Sequence, residues 1–258
     1  MVHRGGRRLA AAATVVFMRA WWREISGLVL PAVCGGCGAP RTQLCAECAH
    51  LLHGRMARRA RPVPEPAGLP AVHAAAPYTD SVRAVILAHK ERGALGLAGP
   101  LGVALAGAVR AAVADTSGPG GPLLLVPVPS APGAVRARGQ DAARRIALAA
   151  AGELRCTGRA AKVLPVLRQR RRMADQAGLT ARQRLANAAG ALEVRAGGAR
   201  LLTGGRAVLV DDLMTTGATL VEAARALSAV TGPDSWRAVW PSAAVVAVSP
   251  LSLEINRN

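Results

Sequence analysis

"VLVDDLMTTGATLVEAARAL", residues 208–227, decides how the rest of the chain is read. A short apolar run, 206–211, closes on two acidic residues, Asp211 and Asp212. A turn follows with Thr215, Thr216, Gly217, Ala218 and Thr219, and from Thr216 to Val230 apolar residues recur at helical spacing. Strand, turn and helix in this order are half of a βαβ unit, and open parallel sheets bind ligands outside the carboxyl ends of their strands. The turn offers free backbone N–H groups, the positive end of a helix dipole and hydroxyl donors, which together favour a phosphate. Gly217 lets the backbone come close to it. The two carboxylates would repel a phosphate, but they can accept hydrogen bonds from a neutral polyol. A phosphate joined to a diol-bearing sugar satisfies both halves, and ribose 5-phosphate is the plainest such molecule. The competing reading is a capping turn with no ligand. A Walker A loop is excluded, because no GxxxxGK[ST] occurs.

Outward from this unit the chain alternates. Strands are expected at 71–78, 122–130, 161–168, 191–195, 206–211 and 237–248. Helices are expected after a cap at Thr79 or Asp80, then over 97–114, 139–154, 180–190 (capped by Thr180) and 216–230. Continuous apolar strands such as "PLLLVPVPS" (122–130) are those of strands buried on both faces. The fold class is therefore α/β, a doubly wound parallel sheet with a small N-terminal element. Four regions follow: an N-terminal arm (1–33), a four-cysteine element (34–60), a Pro-rich linker "RPVPEPAGLP" (61–70) and the α/β domain (71–258).

The chain has 258 residues, 51% of them hydrophobic but only 2% aromatic, so Ala, Val and Leu must build the core. Net charge is +18, and Lys90 and Lys162 are the only lysines among the 33 basic residues. Such an excess of Arg either reflects GC-rich coding or favours polyanions: nucleic acid, phosphates or membrane surfaces. In the arm, "LAAAATVVFM" (9–18) is far short of the roughly 20 residues that span a bilayer. Trp21, Trp22, Ile25, Leu28 and Val29 fall near helical spacing. They read as an amphipathic helix for core or partner packing, or for peripheral membrane contact; no transmembrane segment is expected.

Cys34, Cys37, Cys45 and Cys48 form two CxxC knuckles with seven residues between them. Knuckles this close suit a metal in a reducing compartment rather than a secreted disulfide framework, which points to the cytoplasm. Four thiolates complete a tetrahedral zinc site with no position left for water, so the zinc would be structural. Two reduced pairs or a redox dithiol are the alternatives. Cys156, at the end of an Ala-rich helix, reads as a buried structural thiol.

Residues 208–219 resemble the phosphoribosyl pyrophosphate (PRPP) motif of type I phosphoribosyltransferases. Further blocks are similar to the ComF family, the competence-protein-F-like branch: the cysteine element (28–52), the Lys-containing helix "VRAVILAHKERG" (82–93) and "VPVPSAPGAVRARGQDAARRIA" (126–147). A spaced set, Gln176, Leu179, Arg184 and Asn187, completes the pattern. The family often continues Arg-Gly with an aromatic and then Asn-Gln, whereas here Arg138-Gly139 precedes Gln140, Asp141 and Ala142.

The resemblance implies a type I phosphoribosyltransferase-like fold in which Asp211 and Asp212 hold the ribose hydroxyls and Thr215, Thr216, Gly217, Ala218 and Thr219 cradle the 5′-phosphate. It implies a diphosphate loop with Val128, Pro129, Ser130, Arg136 and Arg138, and Mg²⁺ held mainly by the PRPP itself. Residues 167–180 occupy the place of a mobile loop over the site, for which Arg172, Gln176 and Arg184 are the candidates. The arginine run 170–172 reads equally as a nucleic-acid patch or a solvated charge run. Two functions follow from the resemblance: transfer of the phosphoribosyl group to a nitrogen acceptor, or a non-catalytic DNA-uptake factor. The second would bind single-stranded DNA and competence or helicase proteins.

Overall fold

The computed structural model describes residues 32–54, 56–115, 121–174, 178–231, 242–249 and 252. The expected amphipathic helix of the arm, Gln176 and the start of the expected last strand lie outside the described residues. The elements are α1 (Ala46–His53), β1 (Arg58–Ala60), β2 (Ala71–Pro77), α2 (Asp80–Glu91), a 3₁₀ turn (Leu95–Leu97), α3 (Ala98–Ala114), β3 (Leu123–Pro127), α4 (Pro132–Arg138) and α5 (Ala142–Cys156). They continue with β4 (Ala161–Val163), β5 (Leu167–Gln169), α6 (Ala181–Ala188), β6 (Leu192–Val194), α7 (Gly198–Leu202), β7 (Arg206–Met214), α8 (Ala218–Thr231) and β8 (Ser242–Val248).

Six strands form one sheet in the order β1-β2-β8-β7-β3-β4, and only β1 runs antiparallel to its neighbour. The central strands carry continuous apolar runs, Leu123–Val126, Ala207–Val210 and Ala243–Val248, because both faces are covered, and residues of the two parities feed two cores. Leu123, Leu125, Val208, Val210, Ala244 and Val246 join α2, α3 and α5 on one face. Leu124, Val126, Ala207, Leu209, Ala243 and Val245 join α8 on the other. Alternation assigns Ala207, Val208, Leu209 and Val210 to the two faces in turn; past the acidic pair it slips by one, with Leu213 packing on the α2 side and Met214 on the α8 side.

The structure departs from the sequence reading in several places. The expected strand 161–168 divides: β4 pairs with β3, whereas β5 pairs antiparallel with β6 in a separate two-stranded sheet. Pro165, which has no N–H for a ladder, sits between them, after Leu164 N makes the last bond to Leu125 O at 2.8 Å. Residues 132–138, expected as part of an irregular loop, form the helix α4. Pro132 occupies its first turn and Gly139, at φ 70°, closes it. Cys156 is exposed rather than buried.

The stretch read as a linker follows β1, which is paired to β2, and its Leu69 packs against the α8 side of the sheet. The cysteine element adds Leu52 to the core formed with α2 and α3. Leu95–Ala114 is long and apolar enough to cross a membrane; here its Leu101, Leu105, Ala108 and Val109 are part of that same core.

Candidate functional site

The acidic pair stands where β3 has ended. Pro127 pairs with Val210, so from Asp211 onward β7 keeps only β8 as a neighbour, with Asp211 opposite Val245. Both aspartates thus lie at the carboxyl edge of the sheet. Asp212 turns to the α2 face, where Lys90 lies, and Asp211, opposite Val245 in register, continues the row of Ala207 and Leu209 on the α8 face.

On the α2 side, Lys90 meets Asp212 with Nζ–Oδ2 at 2.8 Å; Asp212 is 5% and Lys90 34% exposed at the side chain. Asp212 N donates to Asp211 Oδ1 at 2.8 Å. Burial and then the Asp212 carboxylate push the Asp211 carboxyl well above the usual carboxylate range, against the smaller pull of Lys90. Burial alone would lower the pKa of Lys90, but the Asp212 and Asp211 charges outweigh it and raise it above the usual lysine value. An ammonium thus lies against one carboxylate, and the second carboxyl resists ionisation. The pair can accept hydrogen bonds from neighbouring hydroxyls, but carries less negative charge than two free aspartates.

Past Met214 the chain turns through Thr215, Thr216 and Gly217 into α8. Gly217 has φ 77°, and a Cβ there would fall 2.7 Å from Leu69 Cδ1, so the turn requires glycine on two counts. Arg184, on α6, reaches into this turn: its Nη1 donates to Thr215 Oγ1 at 2.9 Å. α6 starts with a reciprocal capping box between Thr180 and Gln183. Asn187 exchanges hydrogen bonds with Ala174, and Arg171 donates to Asn187 O and Ala189 O at 2.8 and 2.7 Å. One arginine of the run 170–172 thereby closes the end of α6. Arg172 is exposed with no hydrogen bond or ion pair among the described residues.

The expected diphosphate residues divide. Val128 is buried, and Ser130 donates to Asp141 Oδ1 at 3.0 Å, while Asp141 also caps α5 by accepting from Arg144 N. Arg138 is engaged with the end of α2, donating to Glu91 Oε1 at 2.9 Å and Lys90 O at 3.3 Å. Arg136 is exposed on α4. Gln140, where the chain departs from the ComF pattern, donates to His89 O at 3.3 Å. The structure therefore gathers Asp211, Asp212, the turn Thr215–Gly217 with the first residues of α8, and Arg184, and ties Arg138 beside them through α2. It adds Lys90, which the sequence reading passed over as a ligand-site residue. Its signal is the one lysine of the amphipathic helix α2, placed in its last turn.

The four cysteine sulfurs lie within 4.8 Å of one another, with Cys37 Sγ and Cys45 Sγ 3.6 Å apart. Four thiolates about 2.3 Å from one tetrahedral ion stand about 3.8 Å apart, so the set fits a zinc-sized ion with little movement. Cys45 N donates to Cys34 Sγ and Cys48 N to Cys45 Sγ, at 3.3 and 3.5 Å. Burial acts to raise the Cys34 thiol, but N–H groups of Cys37, Cys45 and Gly36 offset it and bring the pKa down to about 6. Burial, followed by its three cysteine neighbours, pushes Cys48 up. A Cβ on Gly36 would lie 2.6 Å from Cys48 Sγ, so the knuckle depends on glycine there. Among the described residues this is the one group of three or more His, Cys, Asp or Glu side chains close enough to share an ion.

Two open clefts, of about 340 and 520 Å³, lie away from this edge. They are lined by Arg110, Thr157 and Arg159, and by Arg58, Arg59, His73 and Asp115. Comparison with protein-family models and with curated proteins finds no match for this chain.

Proposed function

We propose that this protein binds PRPP at the β7–α8 turn and is a ComF-like member of the type I phosphoribosyltransferases. The observation that carries the reading is the adjacency of two groups. The carboxylates of Asp211 and Asp212 lie at the strand edge, and the anion-favouring segment Thr215–Thr219, a turn leading into the first residues of α8, follows directly in the chain. Carboxylates suit the ribose hydroxyls, while hydroxyls and helix N–H groups suit the 5′-phosphate. Magnesium would arrive on the diphosphate of the ligand, since Mg²⁺ keeps several waters and needs few protein ligands. The reaction this ligand supports is transfer to a nitrogen nucleophile: the N–C1 bond forms, the C1–O bond breaks with inversion, and pyrophosphate leaves with the electron pair. The chain would contribute positioning and electrostatics. Zinc held by Cys34, Cys37, Cys45 and Cys48 is proposed as structural, with all four positions taken by sulfur.

Calorimetric titration of PRPP with Mg²⁺ into zinc-loaded protein tests the reading. Wild type is expected to bind, and the Asp211→Asn/Asp212→Asn variant to lose binding. A wild type that takes up no PRPP overturns the proposal, and single-stranded DNA then becomes the ligand to titrate.

A further inference from the structure

The arginines near the site differ in what they face. Arg138 pairs with Glu91, Arg168 with Glu193 and Arg225 with Glu222. Arg184 has no carboxylate partner among the described residues; its guanidinium instead donates to Leu179 O at 3.1 Å and to Thr215 Oγ1 at 2.9 Å. Thr215 Oγ1 accepts this bond, which leaves its own hydrogen to donate elsewhere. The guanidinium thus stands over the turn that opens α8, a helix of fourteen residues whose N-terminus carries partial positive charge. An anion at this turn would be attracted both by the guanidinium and by the start of α8. Arg184 is also not on a free loop: the Thr180–Gln183 box and the Arg171 and Asn187 bonds hold α6 at both ends.

We infer that Arg184 is a binding residue for the 5′-phosphate of the ligand, completing from α6 a cradle whose other side is the Thr215–Thr219 turn. The inference rests on the PRPP reading and deepens it. The planar fork of Arg184 matches phosphate oxygens, and its remaining N–H groups are available to them. Phosphate in this position would bond both Arg184 and the turn. Its arrival would therefore fasten α6, and with it residues 171–174, to the mouth of the site.

The test uses the whole zinc-loaded chain as wild type, Arg184→Gln and Arg184→Lys, titrated with PRPP and Mg²⁺ and followed by phosphorus NMR. PRPP carries a 5′-monophosphate and a diphosphate with separate resonances. Loss of a charged hydrogen-bonding partner is expected to weaken PRPP binding about tenfold to a hundredfold in Arg184→Gln. In that variant at saturation, the bound 5′-phosphate resonance should move back toward its free position while the diphosphate resonances stay put. Arg184→Lys should recover part of the affinity, and because it keeps the charge on α6 it separates loss of the contact from loss of the helix. If wild type binds PRPP and both variants match it in affinity and in the 5′-phosphate resonance, the inference is wrong while the PRPP reading stands. A shift of all phosphorus signals together also overturns it, as a general structural effect. Absence of binding by wild type overturns both.

Discussion

At the scale of residues, the acidic edge of β7 holds more negative charge than folding alone would favour. Asp211 has a carboxyl pKa raised by burial and by Asp212. A carboxyl whose folded pKa exceeds its unfolded value costs stability once pH passes the unfolded value near 3.9, and costs nothing below it, where both states are protonated. Asp211→Asn is therefore expected to raise the melting temperature at pH 7 by about 3 °C, a gain that fades below about pH 4. Scanning calorimetry across that range checks it, and a gain constant with pH would contradict the assignment. Lys90 offsets the charge of Asp212. Lys90→Met leaves a buried carboxylate without its cation, at a cost of about 2 kcal/mol once discounted for the partial exposure of Lys90. The Lys90→Met/Asp212→Asn double variant should be more stable than Lys90→Met, because both charges leave together. Chemical denaturation of the four members of this cycle measures the coupling.

At the scale of elements, α6 and α8 flank the candidate site, and each depends on a few polar anchors. Glu222, buried on α8, accepts from Leu192 N at 2.9 Å and binds Arg225, which fixes the β5–β6 sheet to the helix. Burial would raise the Glu222 pKa, but the bonds from Arg225 and the Leu192 and Gly190 N–H groups outweigh it and lower it. The stability it contributes is thus present above the usual glutamate pKa and is lost as pH falls through the depressed value. Glu222→Ala strands the Leu192 N–H and should cost about 2 kcal/mol, read as a lower denaturation midpoint at pH 7. Thr180→Ala removes the capping box at a cost of about 1 kcal/mol. Faster amide exchange over residues 181–184 would report it, and because α6 carries Arg184, the affinity for PRPP proposed above should fall with it.

For the whole molecule, the cysteine element is joined to the main core. Leu52 belongs to the same cluster as Leu97, Leu101 and Leu105, and Gly35 lies close enough to Leu97 that a Cβ would be 2.7 Å from its Cδ1. β1, next in the chain, is the edge strand of the main sheet. Removing the proposed zinc with a chelator should therefore lower the melting of the entire protein in a single transition, because the loosened element takes core contacts with it. Two separated transitions in a calorimetric scan, with the main one unmoved, would mean that the element is an independent unit.

What is local is legible in the sequence. Alternating strand and helix signals, the continuous apolar strands, the Asp-Asp edge before a Thr- and Gly-containing turn, and the two CxxC knuckles are all written within short windows. Periodicity, turn chemistry and ligand spacing act there without knowledge of the chain's path. The tertiary structure alone decided which side chains from distant windows meet. It set Lys90 against Asp212 and Arg184 against Thr215, and turned Arg138 to Glu91. It also carried β5 out of the main sheet to pair with β6. The physical reason is that such meetings depend on strand order and on the face each residue takes, which shifts within β7 past the acidic pair. A one-residue change of parity would have sent Asp212 away from Lys90, with no trace in the motif itself.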